Sequence, residues 1–278
     1  MKVHHPTIPP REFLQDVMAW YYLFTLNYSI AVCKILELPV CFLPGWVIRM
    51  RVCEPMICQT LGSVEAAVIA RQKGWAVNLG GGFHHALRSS GSGFCVYPDI
   101  TFVTHYMEMW YGYKRFMIID LDAHQGNGHE RDHMDKEKYY IFDVYNHRIF
   151  PGDRYAKTAI QMDVDASRCP NDRPYLRMLT EKLPEAFDAF EPDFVVYNAG
   201  TDCMAEDPLG AMNVSPEGII KRDELVFEEC LKRKVPVVMV LSGGYQHSNA
   251  PCIADSITNL ISKFNLMDTK VKEEKKEY

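Results

Sequence analysis

The chain has 278 residues, of which 47% are hydrophobic and 24% are charged, and its formal net charge is −6. This composition is typical of a globular protein, and the length is sufficient for one large α/β domain. No basic block of the kind that binds nucleic acid occurs, so direct binding to nucleic acid is not expected.

Residues 19–33 form an apolar, aromatic-rich run near the start of the chain. The run is shorter than a bilayer span, and charged residues close it at Lys34 and Glu37. A signal peptide would carry basic residues before a plain apolar stretch and small residues after it, and these flanks differ from that pattern. We therefore expect no membrane insertion, and a buried or partly misplaced helix in this region.

Nine cysteines are present, and none forms a Cys-x-x-Cys pair. The odd number and the irregular spacing disfavour both a disulfide framework and a zinc finger. We expect buried free thiols in a protein of a reducing compartment.

Short apolar runs alternate with helix-like segments along the rest of the chain. The runs suit strands that are buried on both faces, and they are residues 75–79, 116–121, 139–144, 194–198 and 235–241. The predicted helices are residues 63–73, 174–190 and 215–232. The alternation predicts an α/β fold with a central parallel sheet and helices on both faces.

Polar residues or glycines follow each of the five predicted strands. They are Gly80-Gly81-Gly82-Phe83-His84-His85, Asp120-Leu121-Asp122-Ala123-His124, Asp143-Val144-Tyr145-Asn146, Gly200-Thr201-Asp202 and Ser242-Gly243-Gly244-Tyr245. Ligands of open α/β sheets bind at the carboxyl ends of the strands. The five segments therefore predict one shared site.

Asp122 and His124 are two residues apart, a spacing that turns both side chains to the same face of a strand. With Asp202 from a neighbouring strand, they supply two carboxylates and one imidazole for a divalent metal with an open position. Zinc is the favoured ion, and Fe(II) or Co(II) also suits these donors. Alone, Asp122 and His124 would more often be a buried hydrogen-bonded pair.

The adjacent His84 and His85 follow three glycines, which predict an irregular turn. One ring can then act as general base and later as general acid, and Asp120 can fix a ring tautomer. Tyr245 follows two glycines and can donate a hydrogen bond to an oxyanion, although a tyrosine so placed more often serves packing.

A competing motif, His129-Glu130-Arg131-Asp132-His133, matches the His-Glu-x-x-His signature of zinc proteases. Two glycines precede it and its surroundings are charged, so we interpret it as a solvated helix or loop, with His133 at the surface. The glycine run does not fit G-x-G-x-x-G, which disfavours nucleotide binding.

These residues resemble those of the histone deacetylases, and within them the class IV type. The resemblance covers about residues 27–262 and rests on the runs GWAVNLGGGFHHA, SGSGFCVYPDI, IIDLDAHQGNGHERD, FDVYNHRIFPGD, VVYNAGTD, SPEGIIKRDELVF and LSGGYQ. It implies an arginase/deacetylase-like fold and the hydrolysis of Nε-acyl-lysine amides on histones or other proteins. Class IV members favour long fatty acyl groups, so defatty-acylation is included. A chromatin-regulating enzyme of the nucleus, the cytoplasm or both is implied.

The resemblance also assigns roles to single residues. Zinc would be held by Asp122, His124 and Asp202. His85 would be the general base and acid, His84 would act mainly through its charge beside Asp120, and Tyr245 would stabilise the oxyanion. The walls of the acyl-lysine tunnel would be Gly93, Phe94 and Phe150. A monovalent cation, usually potassium, would lie near Asp120, Asp122, His124, Asp143 and Val144.

Two departures from the family pattern bear on these assignments. Asn127 stands where class I enzymes place a second aspartate, which should tune His85 rather than abolish its chemistry. Family members also carry a longer segment before the tandem histidines, whereas 83 residues precede His84 here. We therefore divide the chain into an unmatched segment, residues 1–26, a deacetylase-like domain, residues 27–265, and a charged tail, residues 266–278.

Two further hypotheses stay open from the sequence. The first is an impaired, shortened deacetylase-like protein that binds metal, acyl-lysine or partners without turnover. The second is a binuclear hydrolase of the arginase type, which needs another acid two residues after His124, where Gly126 stands.

Overall fold

A computed structural model describes residues 11–38, 42–169 and 171–268. Six parallel strands form one sheet in the order β1-β6-β5-β2-β3-β4. The strands are β1 Trp75–Val77, β2 Phe116–Asp120, β3 Tyr139–Tyr145, β4 Met162–Asp165, β5 Phe194–Asn198 and β6 Val237–Val240.

Ten α-helices connect or flank these strands in the described part of the chain. They are α1 Arg11–Gln15, α2 Trp20–Thr25, α3 Ser29–Ile35, α4 Gly45–Ile48, α5 Glu54–Lys73, α6 Asp99–Tyr111, α7 Asn127–Asp132, α8 Asp172–Phe190, α9 Pro216–Arg233 and α10 Asn249–Lys263. A π-helical turn, Arg49–Cys53, joins α4 to α5. Helix α9 begins after Ser215, whose hydroxyl accepts a hydrogen bond from the Gly218 amide at 3.0 Å.

The sheet is buried on both faces, because alternate strand residues enter two different hydrophobic clusters. Phe116 and Ile118 of β2 pack with α5, α6 and the N-terminal helices, whereas Met117 and Ile119 pack with α8, α9 and α10. This is the three-layer arrangement that continuous apolar strands require. The predicted α/β fold with a central parallel sheet is confirmed.

The predicted elements differ from the observed ones mainly at their ends and at the edge of the sheet. All five predicted strands form, and residues 194–198 coincide with β5. Helix α5 begins nine residues before the predicted start at residue 63. Strand β4 was missed because it alternates acids with apolar residues at the sheet edge, and α6 and α10 were also missed.

The apolar run of residues 19–33 forms α2 and most of α3. Tyr22, Val32 and Cys33 are buried, whereas Trp20 and Ile30 are exposed. One helical stretch of the described residues, Gly45–Lys73, has the length and composition of a membrane span, and 39% of its apolar window is buried. Core helices of other proteins also have this length and apolar composition. The stretch packs against β1, β6 and α6.

Eight cysteines in the described ranges are free thiols; six of them are buried, as predicted, whereas Cys58 and Cys169 are half-buried, and Cys41 lies outside those ranges. Most of the unmatched N-terminal segment is described from residue 11 onward, whereas residues 1–10 and 269–278 lie outside the described residues. The domain boundaries stay a prediction.

Candidate active site

The carboxyl ends of the central strands bring the predicted residues to one edge of the sheet. Asp120 is the last residue of β2, and it pairs in register with Asn198 of β5 and Asp143 of β3. The segments that follow β2 and β5 therefore leave the sheet side by side, carrying Asp122 and Asp202. This placement follows from the parallel order of neighbouring strands.

Asp122, His124 and Asp202 form one buried cluster with metal-binding geometry. One ligand atom from each residue lies within 4.8 Å of the other two. His124 Nδ1 is 2.8 Å from Asp202 Oδ2 and 3.1 Å from Asp122 Oδ1. The two carboxylates and the imidazole thus converge on one point, as the spacing predicts.

The outer carboxylate oxygens of this cluster are held by the protein. Asp122 Oδ2 accepts hydrogen bonds from the Ser242 hydroxyl and the Gly243 amide, both at 2.9 Å. Asp202 Oδ1 accepts one from the Ala123 amide at 2.8 Å. A Cβ atom at residue 243 would lie 2.7 Å from an oxygen of each carboxylate, so a side chain there would displace them. The inner oxygens are left to face the His124 ring, and this donor set fits a divalent ion such as zinc.

The charges of the cluster shift the pKa values of its members. Burial and the charge of Asp122 raise the pKa of Asp202 to about 7. Burial would lower the pKa of His124, but hydrogen bonds to Asp122 and Asp202 raise it to about 10. A metal ion must therefore displace protons from this cluster in order to bind.

His84 is paired with a carboxylate. Its Nδ1 donates a hydrogen bond to Asp120 Oδ2 at 2.9 Å, and both residues are buried. Burial alone would lower the pKa of His84, but the charges of Asp122 and Asp120 raise it to about 9. The predicted contact between Asp120 and one ring of the histidine pair is therefore present. The ring of His85 has a different partner.

His85 is paired with a neutral amide. Its Nδ1 lies 2.8 Å from Asn127 Oδ1, which can only accept a hydrogen bond. Burial and the charge of neighbouring His84 hold the pKa of His85 well below its usual value. The ring is therefore neutral, with its proton on Nδ1 and a free lone pair on Nε2, the state required of a general base.

A cavity of about 320 Å³ opens beside the histidine pair. Gly93, Phe94 and Tyr245 line it with the glycines of residues 80–82, and Met56 and Gln59 also lie on its wall. Phe150 packs edge-on against His85, with ring centroids 5.0 Å apart. The predicted wall residues thus lie next to the histidine pair, and their role in binding acyl-lysine stays a prediction.

Tyr245 is at the mouth of this cavity, and its ring centroid is 6.0 Å from that of Phe94. Its amide donates a hydrogen bond to Asp207 Oδ2 at 2.9 Å. Burial and the charges of Asp122 and Asp202 raise the pKa of its phenol above the usual value. Tyr245 therefore keeps its proton and is available as a hydrogen-bond donor.

The predicted monovalent-cation residues are also brought together. Asp143 faces Asp120 across the β2–β3 pair, and one atom each of Asp120, Asp143 and His129 lie within 4.8 Å of one another. Val144 is the next residue of β3 and is buried. Burial and the charges of Asp120 and Glu130 raise the pKa of Asp143 well above its usual value. Potassium binding here stays a prediction.

The structure corrects the interpretation of the His-Glu-x-x-His motif. We predicted a solvated segment with His133 at the surface, but His129, Glu130 and His133 are all buried. The two imidazoles turn to different partners, since His129 Nε2 faces Asp120 and His133 Nε2 faces the Thr104 hydroxyl. The surrounding charges misled the prediction because most of the exposed ones, at residues 135–137, follow the helix, which itself packs against α6.

Several supporting residues were missed by sequence reasoning. Asp99 accepts hydrogen bonds from the Gly82 and Phe83 amides, both at 2.8 Å, and so shapes the turn before the histidine pair. Asn198 Nδ2 donates to Asp120 Oδ1 at 2.8 Å. Arg222 of α9 is fully buried, and Nη1 donates to the carbonyl of Gly200 at 2.6 Å. Only Asn198 carried a signal, because it ends a predicted strand.

Known proteins are similar to this chain in sequence. The chain is 44% identical over 250 residues to histone deacetylase 2 of Arabidopsis thaliana, a match covering 90% of this chain and 64% of that protein. It is 30% identical over 209 residues to human histone deacetylase 1, covering 69% of this chain and 41% of that protein. The chain thus spans less than two thirds of the length of these relatives.

A solved structure has a similar fold. A crystal structure of the HDA15 HD domain superimposes with a TM-score of 0.71 at 19% identity, covering 94% of this chain and 74% of the other. Residues 50–261 match the family model described as the histone deacetylase domain, and these residues contain the tandem histidines, the Asp-His-Asp cluster and Tyr245. Together with the similarity to the Arabidopsis protein, this match shows that the chain belongs to the histone deacetylase family.

Proposed function

We propose that this protein hydrolyses the Nε-acyl-lysine amides of histones or other proteins in a zinc-dependent reaction. The observation that carries the proposal is the convergence of Asp122, His124 and Asp202 beside a histidine pair and a phenol, on a chain of the histone deacetylase family. Asp122, His124 and Asp202 would hold the ion. When bound, zinc would act as a Lewis acid on the amide carbonyl and would acidify a water molecule.

His85 is suited to move the proton in this reaction. Its Nδ1–H is committed to Asn127, so Nε2 can take a proton from water and then deliver it to the leaving lysine amine. The low pKa of His85 keeps this lone pair free at neutral pH. His84 keeps its charge beside Asp120 and acts mainly through that charge.

Tyr245 would donate its phenolic proton in a hydrogen bond to the oxygen on which negative charge develops. Its raised pKa supports this role, because the phenol stays protonated through the usual pH range. Phe94 and Phe150 would flank the aliphatic stem of the acyl-lysine at the mouth of the cavity.

We further propose that the protein is of class IV type and accepts long fatty acyl groups as well as acetyl. The motif resemblance described from the sequence supports this assignment. The cavity supports it too, because it extends past the histidine pair to the glycines of residues 80–82 and to Met56. A chain of methylene groups would meet mostly apolar or backbone surface there.

The proposal is tested by metal analysis together with deacylation assays on acetyl- and myristoyl-lysine peptides. We expect about one zinc ion per chain, and turnover of at least one peptide. Asp202→Ala should lose the metal and the activity, whereas the exposed Asp255→Ala should keep both. Tyr245→Phe should keep the metal and lose about 100- to 1,000-fold in kcat, the usual effect of removing one oxyanion donor.

Tyr28→Phe is the matched control for Tyr245→Phe, because it removes an exposed phenol on the N-terminal helices. It should be as active as the unchanged protein. Purified protein that binds no metal, or that binds zinc and turns over neither peptide, would refute the proposed function.

A further inference from the structure

His129 is a buried imidazole that the proposed reaction does not use. It lies in α7, and 1% of its surface is exposed. Its Nε2 is 2.9 Å from Asp120 Oδ2, the same oxygen that accepts the hydrogen bond from His84 Nδ1 at 2.9 Å. One carboxylate oxygen therefore lies between two histidine rings, one inside the proposed active site and one behind it.

The hydrogen-bond partners of His129 define its tautomer. Its Nδ1 is buried and has no hydrogen-bond partner among the described residues, whereas Nε2 faces a carboxylate oxygen. A ring nitrogen that faces only an acceptor carries the proton. His129 therefore donates Nε2–H to Asp120, and Nδ1 makes no hydrogen bond to the described residues.

The backbone around His129 holds the ring in this position. The amides of Gly128 and His129 both donate to the His84 carbonyl, at 2.8 and 3.3 Å, so the start of α7 is fixed to the histidine turn. A Cβ atom at residue 126 would lie 2.1 Å from His129 Nε2 and 2.5 Å from Asp120 Oδ2. The absence of a side chain at Gly126 is what lets the imidazole and the carboxylate meet.

Asp120 is held by donors on both of its oxygens. Oδ1 accepts from Asn198 Nδ2 at 2.8 Å and from the Asp122 amide at 3.1 Å, while Oδ2 accepts from the two histidines. Without the donor from His129, Oδ2 has His84 as its one partner, and only the donors on Oδ1 then fix the carboxylate independently of that ring. With both donors present, His84 is held with Nε2 3.6 Å from Asp122 Oδ1.

We propose that His129 is a positioning residue that fixes the Asp120 carboxylate and, through it, the ring of His84. The expected effect on turnover rests on the proposed deacylase function. The hydrogen bonds that join His129, Asp120 and His84 are independent of that function. Loss of the Nε2–H donor lowers kcat and leaves KM nearly unchanged, because His129 does not line the cavity. Partners of this kind contribute about 10- to 100-fold to activity.

Two variants of similar size and polarity separate positioning from folding. In His129→Gln the side-chain amide nitrogen falls where Nε2 lies, so it can still donate to Asp120. In His129→Asn the amide is one carbon shorter and reaches only the place of Nδ1. We expect His129→Asn to lose about 10- to 100-fold in kcat and His129→Gln to recover most of that loss. Equal kcat values in the two variants would overturn the positioning role.

A measurement on the unchanged protein tests the same geometry without any assay. The imidazole protons of His84 Nδ1 and His129 Nε2 converge on one oxygen, so proton NMR should show both as hydrogen-bonded signals with a nuclear Overhauser effect between them. His129→Asn should move the His84 signal and His129→Gln should return it toward its original position. His147→Asn, which removes a ring that is paired with Asp163 on β4, should leave it in place.

The outcomes are distinct. Protein that lacks deacylase activity but shows both proton signals and their response to the variants would refute the proposed function and keep the positioning role. Absence of the His129 Nε2 proton signal would overturn the positioning role, because no hydrogen bond from this ring to Asp120 would then be seen.

Discussion

His84 and His85 are neighbours in sequence and both are buried, yet their rings have different partners. A carboxylate faces His84 and an amide oxygen faces His85. The pKa of His84 rises to about 9, while that of His85 falls well below its usual value. Two identical side chains are thus given opposite protonation states, one suited to provide charge and the other to accept a proton.

Asn127→Asp should shift the pH dependence of the reaction. A carboxylate at this position would favour the charged form of His85 and raise its pKa. Since the general base acts only when neutral, the acidic limb of the kcat/KM profile should move to higher pH, with the largest loss of activity below pH 7. The dependence of kcat/KM on pH is measured with an acyl-lysine peptide that the unchanged protein hydrolyses.

Asn265→Asp adds the same charge at an exposed position and is the control for that experiment. Its profile should coincide with that of the unchanged protein. A profile for Asn127→Asp that is unshifted, or is shifted to lower pH, would contradict the role of His85 as base.

The positions of single residues were partly predictable from the sequence. Asp122, His124 and Asp202 were found because ligand chemistry follows predicted strands, and they do converge. Gly93 was named only through the family resemblance, and its reason is steric: with φ at +51°, a Cβ atom there would lie 2.4 Å from His85 Cδ2. Such a contact joins two loops, so no local pattern reveals it.

Helix α9 reaches the candidate site through one buried side chain. Arg222 Nη1 donates to the carbonyls of Gly200 and Leu121, at 2.6 and 3.3 Å, and Nη2 donates to that of Ala199 at 3.1 Å. These carbonyls lie in the segments that leave β5 and β2 on the way to Asp202 and Asp122. The arginine therefore joins the two segments that carry the candidate metal ligands.

The charge of Arg222 is balanced within α9 and its neighbours. Its Nε donates to Asp223 Oδ1 at 2.9 Å, and Asp223 also accepts from the hydroxyls of Tyr197 and Ser256. A buried charge that loses its partner costs far more than a surface pair contributes. The Arg222 side chain thus binds the carbonyls that follow β2 and β5 and also forms a buried ion pair with Asp223.

Arg222→Met should lower the free energy of unfolding by about 3–5 kcal/mol, because it leaves Asp223 without its cationic partner and three carbonyls without the donor from Arg222. It should also weaken zinc binding, since the segments that precede Asp122 and Asp202 lose the hydrogen bonds from Arg222 that join them. Chemical denaturation and zinc titration measure the two effects. Arg177→Met, at an exposed i,i+4 pair with Glu181, should change stability by less than about 1 kcal/mol and leave zinc binding unchanged.

Unchanged zinc affinity in a folded Arg222→Met protein would contradict the supporting role of α9. The sequence could not predict this role. Arg222 stands in a run of charged residues, Lys221 to Glu224, that is typical of an exposed helix face, and only the packing of α9 against the sheet makes it buried.

The sheet as a whole was predictable because each central strand is a continuous apolar run, and such runs fit only a sheet covered on both faces. The elements that were not predicted correctly lack such an apolar run. Strand β4 lies at the edge and is half-exposed, and α7 carries charged side chains on a short helix whose inner face holds His129 and Glu130. The charged residues around α7 led to the wrong prediction of a solvated segment, because the buried His129 and Glu130 decide how this helix packs.

At the scale of the whole molecule, the candidate metal cluster would couple ion binding to the stability of the fold. Asp122 and Asp202 follow different strands and are buried within a few ångströms of each other. Their mutual charge opposes folding unless a proton or a cation lies between them. An ion that binds only the folded chain therefore stabilises the whole molecule by mass action.

Removal of zinc by a chelator should lower the Tm, and zinc at about 1,000 times its Kd should restore about 4 kcal/mol, equivalent to on the order of 10 °C. The gain should shrink as the pH falls below 7. The pKa of Asp202 is raised to about 7 and that of His124 to about 10, so protons compete with the ion increasingly at lower pH. Thermal melts of the chelated and zinc-loaded protein at pH 6 and pH 8 measure both effects. Asp202→Asn should abolish the response to zinc while Asp255→Ala keeps it, and a zinc-induced rise that is equal in all of these proteins would show that the ion binds elsewhere.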